Sequence, residues 1–172
     1  MNELIYYTTI NSPLGELLLS SSLKGLMSIE YLINLCEPEI IKKYSSKYTC
    51  EKVKNHDTRF FKLIQELNLY FDGKLKKFSI SLDLQGTNFQ KIVWNTLLNI
   101  PYGETTSYSC IANQIRNSKA CRAVGQANNK NPIPIIIPCH RVIGKNGNLV
   151  GYADGIQIKK WLLNHEMINK YS

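Results

Sequence analysis

The sequence predicts a two-part α/β (α+β) chain, with a small strand-rich domain over residues 1–87 and a helical domain over residues 88–172 that holds a helix-turn-helix. Three observations carry this. Strand-forming residues cluster before position 32, and apolar residues fall at helical spacing after position 58. The charge is also unevenly divided: residues 1–87 carry 11 Lys/Arg against 10 Asp/Glu, whereas residues 88–172 carry 10 Lys/Arg against three acids, Glu104, Asp154 and Glu166.

In the first half, residues 4–10 (LIYYTTI) predict a strand that ends at the turn Asn11-Ser12-Pro13. Residues 16–20 and 25–31 predict two more strands with short polar breaks. Residues 34–58 are lysine-rich and poorly periodic, which predicts loop with a helical piece. From Thr58, Phe61, Ile64, Leu67 and Phe71 recur near helical spacing, and Asp72-Gly73 ends that helix. No motif in this half is tied to chemistry.

In the second half, Asn88 is positioned to cap a helix whose apolar face is Phe89, Ile92, Val93, Leu97 and Ile100, broken by Pro101-Tyr102-Gly103. Ser107 caps a short helix over 108–116, and Ser118 caps another over 119–128. Two short helices across a tight polar turn suggest a helix-turn-helix. The outer side of the second helix carries the small residues Ala120, Ala123, Gly125 and Ala127, with Arg122 among them. Such a face suits close approach to a groove and equally suits tight packing on a core. Residues 135–137 are three isoleucines, which predict a buried strand that delivers Pro138-Cys139-His140. Asn146-Gly147 marks a turn, and a last helix runs from about Ile156 to Ile168 with Ile158, Trp161, Leu162 and His165 on one broad face.

The 172 residues with 44% apolar content suffice for a packed core, and no apolar run approaches the roughly 18 residues of a membrane span. The N-terminus lacks the features of a signal peptide, so an intracellular, soluble, cytoplasmic protein without a membrane partner is expected. Five cysteines without C-x-x-C pairing argue against a disulfide framework, and no metal site or cofactor is expected. The basic second half, net +7, is the footprint of a polyanionic partner, with nucleic acid the leading candidate.

Cys139 stands beside His140 and Arg141 in Pro138-Cys139-His140-Arg141-Val142. A thiol acts as a nucleophile when an adjacent base or cation favours its thiolate. In an extended chain, neighbours point to opposite faces, so His140 need not touch Cys139 directly and could act through a water. This pentapeptide, together with Tyr102-Gly103-Glu104, Ser107-Tyr108, Arg122-Ala123-Val124-Gly125, residues 127–132, Trp161-Leu162-Leu163 and His165-Glu166, resembles the methylated-DNA–protein-cysteine methyltransferases, or O6-alkylguanine-DNA alkyltransferases. The likeness covers essentially all of residues 88–172. For residues 1–87 it is limited to size and strand-rich character, and implies a small ribonuclease-H-like domain.

The resemblance implies that Cys139 accepts an alkyl group, that His140 takes the thiol proton through a water, and that Glu166 orients the histidine. It implies that Asn131 helps hold the site and that Tyr108 donates a proton toward the leaving guanine. Arg122 would enter double-stranded alkylated DNA through the minor groove and fill the space of a flipped base, with Ser107, Ala123 and Ala127 on the same DNA-binding surface. Pro138 and the loop of Tyr152, Ala153 and Asp154 would shape the pocket; Asp154 departs from the small residues usual in the family. The activity implied is single-turnover repair of O6-methylguanine, and of O4-methylthymine, by a monomer. Arg141 is read as a structural anchor, His165 as packing or surface, and Cys110 and Cys121 as small core residues. A lesion binder without chemistry would lack Cys139, and a cysteine hydrolase would leave the basic helix-turn-helix and Arg122 without a purpose.

Overall fold

The computed structural model describes residues 3–33, 36–54, 57–149 and 151–171. The chain divides into two compact units, the first ending at Leu84 and the second beginning at Gln85.

The first unit is built on a four-stranded sheet of order β3-β2-β1-β4. β1 (Glu3–Ser12), β2 (Gly15–Ser21) and β3 (Leu26–Tyr31) form an antiparallel meander, as their strand formers predict. The 34–58 region holds helix α1 (Glu37–Ser45), as expected, and also β4 (Tyr48–Lys52), which was not. Positions 34, 35, 55 and 56 of that region lie outside the described residues. β4 pairs with β1 in parallel at the sheet edge and buries no side chain fully, so its sequence carries no apolar alternation to read. Helix α2 (Thr58–Phe71) is capped by Asp57, whose carboxylate accepts from the Arg59 amide at 3.0 Å. Its buried stripe is Phe60, Leu63, Leu67 and Tyr70 rather than the expected Phe61, Ile64, Leu67 and Phe71, and Phe61 is exposed. Both sets have helical spacing, and packing selects between them.

In the second unit, α3 (Asn88–Leu97) is capped by Thr87, not Asn88, in a reciprocal box with Gln90. Val93, Trp94 and Leu97 are buried and Ile92 is exposed, so the inner face is turned toward Trp94. The Trp94 indole donates to the Ala127 carbonyl at 2.8 Å. Gly86 is required beneath it, because a Cβ there would lie 2.6 Å from the ring. β5 (Thr106–Ser107) leads into α4 (Tyr108–Gln114), which Ser107 caps as predicted. Residues Ser118–Ala120 form one 3₁₀ turn before α5 (Cys121–Asn129), so Ser118 opens the turn and is not the cap of the helix. β6 (Val142–Ile143) pairs in parallel with β5, and α6 (Ile156–Ile168) closes the unit. No helix among the described residues is long and apolar enough to cross a membrane.

Candidate active site

The isoleucines at 135–137 do not form a strand. Pro132 and Pro134 remove ladder donors, the Ile137 amide closes back on the Ile133 carbonyl at 3.0 Å, and Ile135 takes a left-handed φ of 74°. A β-branched residue in that region stores on the order of 1–3 kcal/mol of strain, held here by burial of the whole run. The tight turn ends with the Cys139 amide donating to the Ile137 carbonyl at 2.7 Å, and Cys139–Arg141 continue as a 3₁₀ turn. Cys139 is therefore presented by a compressed turn, not by an extended strand.

Asn131 holds this turn from one side. Its Oδ1 accepts from the Ile133 amide at 3.0 Å, while Nδ2 donates to the Ile137 carbonyl at 2.8 Å and to Cys139 Sγ at 2.9 Å. Asn128 Nδ2 reaches the Cys139 carbonyl at 3.4 Å.

Glu166 on α6 holds the turn from the other side. Its carboxylate accepts from His140 Nε2 at 2.9 Å, from Arg141 Nε and Nη2 at 2.8 Å each, and from the Gly103 amide at 3.1 Å. Arg141 Nη1 also donates to the Ile100 carbonyl at 2.6 Å, which makes Arg141 the anchor that was expected. His140 and Glu166 are fully buried. Since Nε2 faces a carboxylate it carries the proton, which leaves Nδ1, buried and without a hydrogen-bond partner among the described residues, as the basic nitrogen.

Burial sets the electrostatics. It pushes the Cys139 thiol up to about 11, against the hydrogen bonds from Asn131 and Tyr152 that favour the thiolate; Asp154 adds to the rise and Lys159 opposes it. The lowering expected from the sequence does not occur in the resting protein. Burial also lowers His140, against the pull of Glu166, so the imidazole is neutral at pH 7. Burial raises the Glu166 carboxyl, but the hydrogen bonds and charges of His140 and Arg141 together hold it well below the usual carboxylate range. A neutral base oriented by an ionised acid thus stands next in sequence to a protonated thiol.

Above the sulfur lies a narrow cleft lined by Asn128, Asn129, Asn131, Tyr152, Ala153 and Asp154. Pro138 shapes the turn beneath. Tyr108, half-buried at the start of α4, lays its ring along α5 at Gly125, where an added Cβ would meet it at 3.8 Å. Arg122 and Ala123 are exposed on the first turn of α5, and Arg122 has no ion pair or hydrogen bond among the described residues. Ala127 is a correction: it is buried under Trp94, because the inward stripe Val124, Ala127, Asn128 passes through it. Cys110 is another, since it lies exposed on α4 while only Cys121 is partly covered. His165 stacks on Trp161 with ring centroids 4.9 Å apart, the packing role expected.

Sequence reasoning missed Lys159. It is fully buried on α6, seven residues and thus two turns before Glu166, and its Nζ donates to the Val142 carbonyl at 2.6 Å. The signal was a lysine between the buried positions Ile158 and Leu162. No group of three or more potential metal-ligating His, Cys, Asp or Glu side chains gathers among the described residues.

A sheet-based α/β unit followed by a helical unit, with a buried Cys-His-Glu constellation beside the α4–α5 helix pair, defines a two-unit protein with a cysteine-centred site. Two family models divide the chain in the same way: the ribonuclease-like domain of 6-O-methylguanine DNA methyltransferase matches residues 5–84, and its DNA-binding domain matches residues 88–168. The chain belongs to the 6-O-methylguanine DNA methyltransferase family, DNA-repair proteins that move an alkyl group from methylated DNA to a protein cysteine. It is 46% identical over 162 residues to a methylated-DNA–protein-cysteine methyltransferase of Methanosarcina acetivorans, covering 94% of this chain and 98% of that one. Among solved structures it is similar to O6-methylguanine methyltransferase of Mycobacterium tuberculosis (TM-score 0.84, 43% identity, 96% and 94% of the two chains covered). It is also similar to the structure of Mycobacterium tuberculosis OGT in complex with DNA (TM-score 0.81, 43% identity, 95% and 94% covered).

Proposed function

We propose that Cys139 is the acceptor, and that this chain takes the methyl group from O6-methylguanine, and from O4-methylthymine, in duplex DNA once per molecule. The observation that carries this reading is the sulfur itself, buried at the base of a cleft, hydrogen-bonded by Asn131, and next in sequence to a neutral His140 that Glu166 orients.

Arg122, standing free on α5, enters through the minor groove and occupies the place of the flipped base; Ala123 and Ser107 line the approach. Ala127 supports that surface from within. The base enters the cleft between Asn131 and the Tyr152–Asp154 loop. His140 Nδ1 takes the thiol proton through a water, and the thiolate attacks the methyl carbon. The S–C bond forms as the C–O6 bond breaks, and Tyr108 supplies the proton that neutralises the departing guanine. Because the resting thiol is held protonated, the nucleophile is generated only when the base is delivered. A thioether is a poor leaving group, so the chain is consumed. It acts as a cytoplasmic monomer, since one chain holds the whole constellation.

The test is stoichiometry. Excess duplex carrying O6-methylguanine should transfer one methyl per protein, located by mass spectrometry on the peptide with Cys139, and none to Cys139→Ala. Repeated turnover, or methyl found on another cysteine, overturns the reading.

A further inference from the structure

Two non-glycine residues among the described ones take a left-handed φ: Ile135, in the buried turn beneath Cys139, and Arg116, at 57°, in the turn between α4 and α5. Arg116 follows Ile115, the C-cap of α4. Its amide donates to the Asn113 carbonyl at 2.9 Å, and the next amide, of Asn117, donates to the Ala112 carbonyl at 2.9 Å. That pair of bonds is the Schellman ending of a helix, whose left-handed position is usually glycine because a Cβ is strained there. Burial holds Ile135 in place, whereas Arg116 is exposed and its side chain makes no hydrogen bond or ion pair among the described residues. The strain is therefore offset by no contact of the guanidinium. The dipole of α4 favours a cation at this end, but the helix has seven residues and solvent damps the effect at an exposed group.

Lys119 and Arg122 follow Arg116 at intervals of three, and both are likewise exposed without a hydrogen bond or ion pair among the described residues. No Asp or Glu occurs from residue 105 to residue 153, so that segment holds no carboxylate to neutralise them. We propose that Arg116 is a DNA-phosphate contact, set on the turn at a cost to the fold, that holds the duplex backbone beside the point where Arg122 enters. This rests on the reading of α4 and α5 as the pair that faces DNA. A guanidinium meets a phosphate through two parallel N–H donors, and each phosphate neutralised releases condensed counterions. Arg116 thus supplies affinity and position without reading sequence.

The experiment measures binding of the full chain to an undamaged duplex by fluorescence anisotropy, over about 50 to 200 mM KCl, and so needs no chemistry at Cys139. Arg116→Gly removes charge and strain together, and Arg116→Ala removes the charge but keeps the Cβ. Both should weaken binding about five- to tenfold near 0.1 M salt and lower the slope of log K against log salt by about 0.9, the share of one phosphate. Arg116→Lys, which keeps the charge, should retain the slope. Urea titrations should find Arg116→Gly at least as stable as the natural chain and more stable than Arg116→Ala, so that weaker binding accompanies a less strained turn. A purely structural arginine would behave otherwise: Gly and Ala would both lower the urea midpoint and leave the salt slope unchanged, and that result overturns the proposal. Arg122→Ala serves as the reference. If it weakens binding while the Arg116 variants bind as the natural chain does, the phosphate contact falls and the reading of α4 and α5 stands. If neither residue affects binding, that reading falls and the proposal with it.

Discussion

Glu30 on β3 and Glu166 on α6 are both withdrawn from solvent, yet they respond in opposite directions. Burial raises Glu30, and a hydrogen bond from the Tyr44 hydroxyl at 3.1 Å with the distant charge of Lys43 only partly offsets it. Burial raises Glu166 too, but a histidine and a bidentate arginine outweigh it. The first unit satisfies its interior polar atoms with hydroxyls: Tyr44 donates to Ser28 at 2.8 Å, and Ser28 meets Ser20 at 2.8 Å. The second unit places charges inside, Arg141, Lys159 and Glu166, around one thiol. The first unit also buries one carboxylate, Glu66, which is met by the amide and hydroxyl of Ser79. Buried charges add little net stability against apolar packing of the same volume, so three of them gathered around one thiol mark where structure serves chemistry.

The sharpest way to break this contrast is Glu166→Gln. It leaves Arg141 without its counter-charge in the interior and should cost about 3–5 kcal/mol in a denaturant titration, with methyl transfer lost. Next comes Arg122→Ala, which removes no interior contact. Stability should stay within about 0.5 kcal/mol, while transfer from duplex DNA falls at least tenfold in a single-turnover assay.

A third effect depends on pH. His140 is depressed in the folded state, so below the unfolded value of about 6.5 the unfolded chain binds the proton first and stability falls. Glu166 is also depressed, so its contribution is present above about pH 4.3 and is lost as the pH falls further. Urea midpoints should decline in those two windows, and His140→Asn should abolish the upper one.

The smallest effect belongs to the first unit. Because the folded Glu30 value is raised, its ionised form is disfavoured at neutral pH, and Glu30→Gln should leave stability unchanged or raise it by up to about 1 kcal/mol. A clear loss in that variant would mean that the two carboxylates are not opposites after all.

The legible parts of the sequence were those where local chemistry and tertiary packing agree. The meander, α2 with its Asp72-Gly73 stop, and the bounds of α6 follow from strand formers, spacing and breakers. β4 was hidden because an edge strand with polar faces has no period, and the inward side of α2 was one residue off because two stripes of equal spacing compete. At the candidate site the pentapeptide announced itself. Lys159 and Asn128 did not, since a buried lysine and a carbonyl-facing asparagine look like surface residues until their neighbours are known. The direction of the Cys139 shift was also out of reach, because it depends on desolvation rather than on the identity of the next residue.

The two-residue pairing of β5 with β6 has a mechanical meaning. Thr106 and Ser107 lie beside Val142 and Ile143, so both helices of the basic pair and the turn bearing Cys139 form one loop whose ends are pinned side by side. The distance from the exposed face of α5 to the sulfur is thereby fixed at both ends, as in a caliper. On the proposed reading, a base displaced by α5 would be offered at a set reach, and a change of loop length anywhere between residues 108 and 141 would put the gauge out of adjustment without touching a reacting atom.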